Sequence, residues 1–77
     1  MKEKMKMLFN SSDKETVNLA SCLFISQIQR MNCHELPVEK DYFTLKTNSF
    51  PIRIWKKSIY DNLISEIEVL LANNNCQ

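Results

Sequence analysis

Residues 41–71 decide the predicted fold, and they read DYFTLKTNSFPIRIWKKSIYDNLISEIEVLL. Two short runs within them, 42–47 and 52–55, alternate polar and apolar side chains with the period of a half-buried strand. Asn48 and Ser49 between the runs supply turn chemistry, because asparagine tolerates a left-handed backbone. The pattern therefore predicts a β-hairpin. Its core face would carry Phe43, Leu45, Ile52 and Ile54.

From Ser58 onward the apolar period changes to that of a helix, which predicts a helix over 58–71 packed on the hairpin. A second helix is predicted over about 13–32, because Ser12 and Glu15 fit a capping box before an apolar run. The apolar stripe of this earlier helix is unusually wide. It indicates either two buried sides, one of them on a partner helix or a second subunit, or a central helix in a small monomer.

Residues 4–9 alternate weakly and predict a first strand, with a frayed or helical N-terminus as the alternative. Residues 32–40 are predicted to be a loop, because Pro37 restricts Leu36 to extended conformations. The predicted fold is a single α+β domain over 1–77 with a β-α-β-β-α order. It has a three-stranded sheet with two helices on one face, a core of about 4–72 and a frayed tail at 73–77.

This order of elements, spanning most of the chain, resembles the small DinI family, whose members modulate the recombination filament in the bacterial DNA-damage response. The resemblance is one of order and length, without a shared motif. The strongly acidic final helix of that family is not matched, because only Asp61, Glu66 and Glu68 are acidic here. Residues 51–71 also resemble the front half of a ribbon-helix-helix repressor, whose second helix would have to follow. The first resemblance implies a modulator of DNA repair as one alternative function.

Composition excludes several function classes. The chain contains no glycine, and the P-loop, the dinucleotide fingerprint and the EF-hand all require it. A net charge of +1 argues against a general binder of polyanions. No apolar run is long enough for a signal peptide or a membrane span. We therefore expect no membrane association. The three cysteines, Cys22, Cys33 and Cys76, are irregularly spaced and do not predict a disulfide framework, so we expect a reducing cytoplasm.

Catalytic and metal chemistry lack the constellations that they need. His34 is the only histidine, and no C-x-x-C spacing accompanies it, so we predict no metal site and no cofactor. Glu35, Glu39 and Asp41 are interpreted as a solvated acidic loop, because paired carboxylates require a pocket that holds a substrate. We therefore predict that the protein is not an enzyme.

The strongest candidate site is a set of basic and aromatic side chains on the predicted open face of the sheet. Its members are Tyr42, Lys46, Arg53, Trp55, Lys56 and Lys57. Such a mixture is typical of hot spots in protein interfaces and of platforms that bind single-stranded nucleic acid. The alternative is a Trp55 packed at the sheet edge among ordinary surface lysines.

These observations predict a small non-enzymatic cytosolic regulator or inhibitor that binds a protein partner. That class includes phage and mobile-element proteins that block a host machine. The alternative is a nucleic-acid-binding regulator that uses the face formed by Lys46, Arg53 and Trp55. A homodimer is also predicted, because the predicted helix over about 13–32 is apolar on more sides than one small sheet can cover.

Overall fold

The computed structural model describes residues 2–49 and 51–73, and this part of the chain forms four helices. They are α1 (Glu3–Phe9), α2 (Lys14–Ile28), α3 (Glu35–Thr47) and α4 (Ile54–Asn73). The helices α3 and α4 pack along each other, and α2 packs against both α1 and α4. The described residues contain no strand, so the α+β prediction with its three-stranded sheet is wrong. The resemblances to the DinI family and to the ribbon-helix-helix repressors rested on the order of strands and helices, so the absence of strands from the described residues removes their support.

The predicted hairpin is the end of α3, a short link and the start of α4. The buried side chains of α3 are Leu36, Glu39 and Phe43, spaced by three and four residues as on one face of a helix. That face includes a glutamate, so its helical period is hard to recognise in the sequence. Leu45, assigned to the core face of the hairpin, is 70% exposed. Ile54, also assigned to the core, is 89% exposed in the first turn of α4.

The long predicted helix over 58–71 lies within α4, which begins four residues earlier, at Ile54. Leu63 and Ile67 are buried as expected, while Ile59 and Leu70 are partly buried and pack against the core. They pack within a bundle of helices, because the hairpin on which they were predicted to pack does not exist. The last residue of α4, Asn73, belonged to the predicted frayed tail, and residues 74–77 lie outside the described part of the chain.

The first predicted strand is the helix α1, which was the alternative interpretation of this segment. Met5 and Phe9 are buried and lie one helical turn apart, whereas Met7 between them is 72% exposed. A strand would have placed all three side chains on one face. The spacing of four residues between the buried positions is therefore the informative one.

The helix α2 is capped one residue later than predicted. The Asp13 carboxylate accepts hydrogen bonds from the backbone N–H of Thr16 at 3.2 Å and from its hydroxyl at 2.6 Å. These bonds lower the pKa of Asp13, and the Ser11 hydroxyl accepts from the Asp13 N–H. The helix ends at Ile28, four residues before the predicted boundary. A side-chain cap at the N-terminus satisfies backbone donors that the helix itself leaves free.

Pro37 does not exclude a helix, which corrects the prediction of a loop over 32–40. It lies in the first turn of α3, where the missing N–H would have had no partner within the helix. The Asn32 side-chain oxygen accepts from the N–H groups of His34 and Glu35 at 2.9 and 3.0 Å, so it caps this helix start. Pro37 therefore marks the beginning of a helix and not the end of the preceding one.

Each helix contributes one aromatic ring to the centre of the core. The four rings, one from each helix in chain order, are those of Phe9, Phe24, Phe43 and Tyr60. Phe43 lies 5.1 Å from Phe9, 5.2 Å from Phe24 and 5.5 Å from Tyr60 between ring centroids. Edge-to-face and tilted pairs at these distances contribute about 0.5–1.5 kcal/mol each beyond the area that they bury. The cluster therefore fixes the mutual position of all four helices.

Candidate functional site

An open groove of about 240 Å³ lies where the link between α3 and α4 meets the loop between α1 and α2. We call it the basic groove. It is lined by Asn10, Ser12, Lys46, Ser49, Pro51, Ile52, Arg53, Trp55, Lys56 and Tyr60. Three of these side chains are cationic, and no carboxylate belongs to the described residues that line the groove. The groove is therefore a local concentration of positive charge on a chain that is nearly neutral overall.

The two groove lysines are held in place by neutral acceptors. Lys46 donates from Nζ to the side-chain oxygen of Asn10 at 2.9 Å, and Lys56 donates to the backbone oxygen of Ser11 at 2.8 Å. Both bonds connect the α3–α4 side of the groove to the α1–α2 loop. The ion pairs found among residues 2–49 and 51–73, Lys6–Glu3 and Lys40–Glu68, lie elsewhere.

The surroundings of Lys56 disfavour its charged form. Burial lowers the pKa of its ammonium group, and the nearby charges of Lys46 and Arg53 lower it further. The three cations are thus close enough to interact, and the described residues that line the groove include no carboxylate to compensate them. A bound anion would relieve this repulsion and would find donors already positioned.

One side of the groove is aromatic. Trp55, in the first turn of α4, is half-buried and packs against the core, so it does not face away from the core as the strand pattern predicted. Tyr60, five residues further along the helix, is buried and donates its hydroxyl to the Phe9 carbonyl at 2.9 Å. That carbonyl belongs to the end of α1, where the helix offers no internal donor. Burial raises the pKa of Tyr60 to about 12, with a smaller contribution from Tyr42.

Tyr42 lies outside the groove lining but contacts one of its cations. The Lys46 ammonium lies 5.6 Å from the Tyr42 ring centroid, and Lys6 lies 5.7 Å from it, both within the range of cation–π attraction. The buried Tyr42 hydroxyl makes no hydrogen bond within the described residues. Its pKa is raised by burial first and then by the charges of Glu3 and Glu39. Tyr42 therefore helps to position Lys46 without itself lining the groove.

The structure thus brings together four of the six residues proposed from the sequence, on a helical scaffold and not on a sheet face. Lys46, Arg53, Trp55 and Lys56 line the groove, and Tyr42 adjoins it through Lys46. Lys57 is exposed on α4 and is not part of the lining. Sequence reasoning missed the contribution of the α1–α2 loop, because Asn10 and the serines after it carry only a turn signal.

The other candidate chemistries find no support in the described residues. No group of three or more His, Cys, Asp or Glu side chains among them is placed to hold a metal ion. Cys22 is a free thiol exposed on α2, whereas Cys33 is disulfide-bonded, so the cysteines give no single indication of a redox compartment. None of the helices in the described part of the chain is both long and apolar enough to cross a membrane.

The apolar stripe of α2 has a buried side and an exposed one. Val17, Ala20, Phe24 and Ile28 are buried, while Leu19 and Leu23 are 60% and 46% exposed one turn apart. The second buried side that the sequence indicated is thus open in a single chain.

Comparisons with known proteins leave this description to stand on its own geometry. No family model, no curated protein and no solved structure matches the chain.

Proposed function

We propose that this protein is a small non-enzymatic regulator or inhibitor that acts by binding a protein partner through the basic groove. The observation that carries the proposal is the juxtaposition of Lys46, Arg53 and Lys56 with the half-buried Trp55 around one open groove. Arginine and tryptophan are the residues most enriched in interface hot spots. Hydrogen bonds already position Lys46 and Lys56, so binding costs less ordering of these two side chains than it would at a flexible surface.

The partner's contact segment is expected to be acidic, because the groove offers three cations without a counter-charge of its own. Charge complementarity of this kind speeds association and disfavours partners that present a basic segment. Trp55 would supply apolar contact area beside the charges. We also retain the proposal of a cytoplasmic location and the proposal that two copies associate.

The test is affinity capture from a lysate of the native host, followed by binding measurements on the purified partner. Arg53→Glu reverses an exposed charge of the groove, and Trp55→Leu removes the aromatic surface while keeping an apolar side chain. Lys57→Glu is the matched control, because it makes the same kind of charge reversal on an exposed residue outside the groove. We expect each groove variant to weaken binding by about 2 kcal/mol, roughly thirtyfold, on the scale of hot-spot residues.

The control should bind the partner like the wild type. Circular dichroism and thermal melting establish that every variant remains folded before its binding is compared. If all three variants capture the same partner with wild-type affinity, the groove is not the binding surface and the proposal fails.

A second candidate function is favoured by the same aromatic side of the groove. A tryptophan beside several cations is the arrangement on which single-stranded nucleic acids stack their bases. Binding to a single-stranded oligonucleotide would weaken steeply as salt rises, because counterions compete for the phosphates. Binding to a protein partner anchored by Trp55 should depend much less on salt, so one salt titration separates the two functions.

A further inference from the structure

The two lysines of the basic groove donate hydrogen bonds to neutral acceptors in the structure. Lys46 donates to an amide oxygen of Asn10, and Lys56 donates to the backbone oxygen of Ser11. Together with Arg53 they place three positive charges around about 240 Å³ of open space, and these charges repel one another. A single anion placed among them would interact favourably with all three at once.

The number of converging charges favours an anion with more than one negative charge. A carboxylate carries a single charge, whereas a phosphorylated side chain carries roughly −1.5 to −2 at neutral pH and offers three acceptor oxygens. The Arg53 guanidinium can bind two of these oxygens through its fork of N–H donors, and lysine ammonium groups act as point charges on the third. This chemistry uses every cation of the groove.

The shape of the site favours one phosphoryl group over a nucleic-acid strand. A strand presents a row of singly charged phosphates and needs cations distributed along its length. Here Lys46, Arg53 and Lys56 converge on one groove, and the chain as a whole has a net charge of only +1. A local cluster on a nearly neutral protein suits a single modified side chain.

We propose that the basic groove binds a phosphorylated side chain of the protein partner, with Lys46, Arg53 and Lys56 around the phosphoryl group and Trp55 against the adjoining peptide. This inference rests on the proposed function and specifies it, because it makes binding conditional on a modification of the partner. The protein would then recognise one state of its partner and leave the other unbound.

The chain's single tryptophan provides the assay, since Trp55 lines the groove and its fluorescence reports occupancy. The probes are short blocked alanine peptides that are identical except for one central residue: phosphoserine, serine or glutamate. Inorganic phosphate and a single-stranded oligonucleotide are titrated in parallel. We expect saturable binding of the phosphoserine peptide, and binding at least about tenfold weaker for the other two peptides, the scale of lost charge-assisted contacts.

Three variants with the same chemical change identify the cations involved. Lys46→Gln and Lys56→Gln should each weaken binding of the phosphoserine peptide about tenfold, while Lys57→Gln on the adjacent surface should leave it unchanged. Lys56 is partly buried, so circular dichroism checks that its variant folds; the more accessible Arg53→Gln supplies an independent variant if it does not.

Several outcomes would overturn the inference. Equal affinity for the three peptides would show that the phosphoryl group is not recognised. Equal weakening by Lys57→Gln would show that binding depends on the general positive charge of this surface and not on the groove. Tighter binding of the oligonucleotide than of the phosphoserine peptide would assign the groove to nucleic acid. If a captured partner stays bound after phosphatase treatment but is lost with Arg53→Glu, this inference fails while the proposed function stands.

Discussion

Two leucines of one helix, Leu36 and Leu45, distinguish the four-helix structure from the hairpin that the sequence suggested. In the structure Leu36 is 1% exposed and Leu45 is 70% exposed, both on α3. In the hairpin arrangement the assignment reverses, because Leu36 would lie in a loop and Leu45 on the core face of a strand. The same substitution, leucine to alanine, can therefore be made at both positions and compared directly.

The magnitudes follow from burial. Leu36→Ala should cost about 2–5 kcal/mol, the range for removing a fully buried leucine side chain. Leu45→Ala should change the free energy of unfolding by no more than about 0.5 kcal/mol, since exposed substitutions have small effects and alanine is the best helix former. A domain of this length has a total stability of roughly 4–12 kcal/mol at the usual value per residue. Leu36→Ala would thus remove a large share of it.

Urea denaturation followed by far-ultraviolet circular dichroism measures both values. At a slope of about 2 kcal/mol per molar urea, the midpoint for Leu36→Ala should fall by roughly 1–2.5 M, and that for Leu45→Ala should stay within about 0.3 M of the wild type. The slope itself should be unchanged if both variants unfold in two states. A cost of 2 kcal/mol or more for Leu45→Ala, together with a negligible cost for Leu36→Ala, would refute the helical assignment of α3.

Three further outcomes are expected. Tyr60→Phe should cost about 0.5–1.5 kcal/mol of stability, because the Phe9 carbonyl loses its donor. Between pH 10 and about 12 the wild type should lose stability, because the raised pKa of Tyr60 in the folded state means that the unfolded chain loses this proton first, and the variant should lose less. Chemical denaturation across that pH range measures both effects. Lys46→Gln should raise the pKa of Lys56 without restoring its ordinary value, since burial is the larger cause of the shift, and a nuclear magnetic resonance titration of the Lys56 side chain checks it. Sedimentation at micromolar concentration should show a dimer that Leu23→Glu dissociates; a wild-type mass of 9.1 kDa would contradict this expectation.

Some features of the fold were accessible from the sequence and others were not. The helical stripe of α4 is long, and its core positions Leu63 and Ile67 are apolar, so the period of three and four residues is plain. In α3 the buried face contains Glu39, and Phe43 and Leu45 alternate with polar residues by chance over a short run. A run of six residues cannot distinguish a strand from one and a half turns of helix when polar residues occupy the buried face.

The tertiary packing determines parts of the fold that local sequence patterns do not indicate. Phe9, Phe24, Phe43 and Tyr60 are far apart in sequence, and nothing in their spacing announces that the four rings meet. Once they do, α1 and α3 gain a buried face that a short amphipathic segment lacks alone. Isolated helices of 7 and 13 residues are marginal in water, so these two depend on the core for their stability.

Four of the six residues of the predicted site lie around one groove although the predicted fold is wrong, and the reason is physical. Lys46 lies one residue before the end of α3 and Arg53 one residue before the start of α4, so a tight connection between the two brings their side chains to the same end of the domain. A hairpin and a pair of antiparallel helices share this property. The groove itself, however, requires the α1–α2 loop, which supplies the acceptors for Lys46 and Lys56 and contributes Asn10 and Ser12 to the lining. Those acceptors come from residues 36 and 45 positions earlier in the chain, so the groove that gathers these cations is a property of the packed structure.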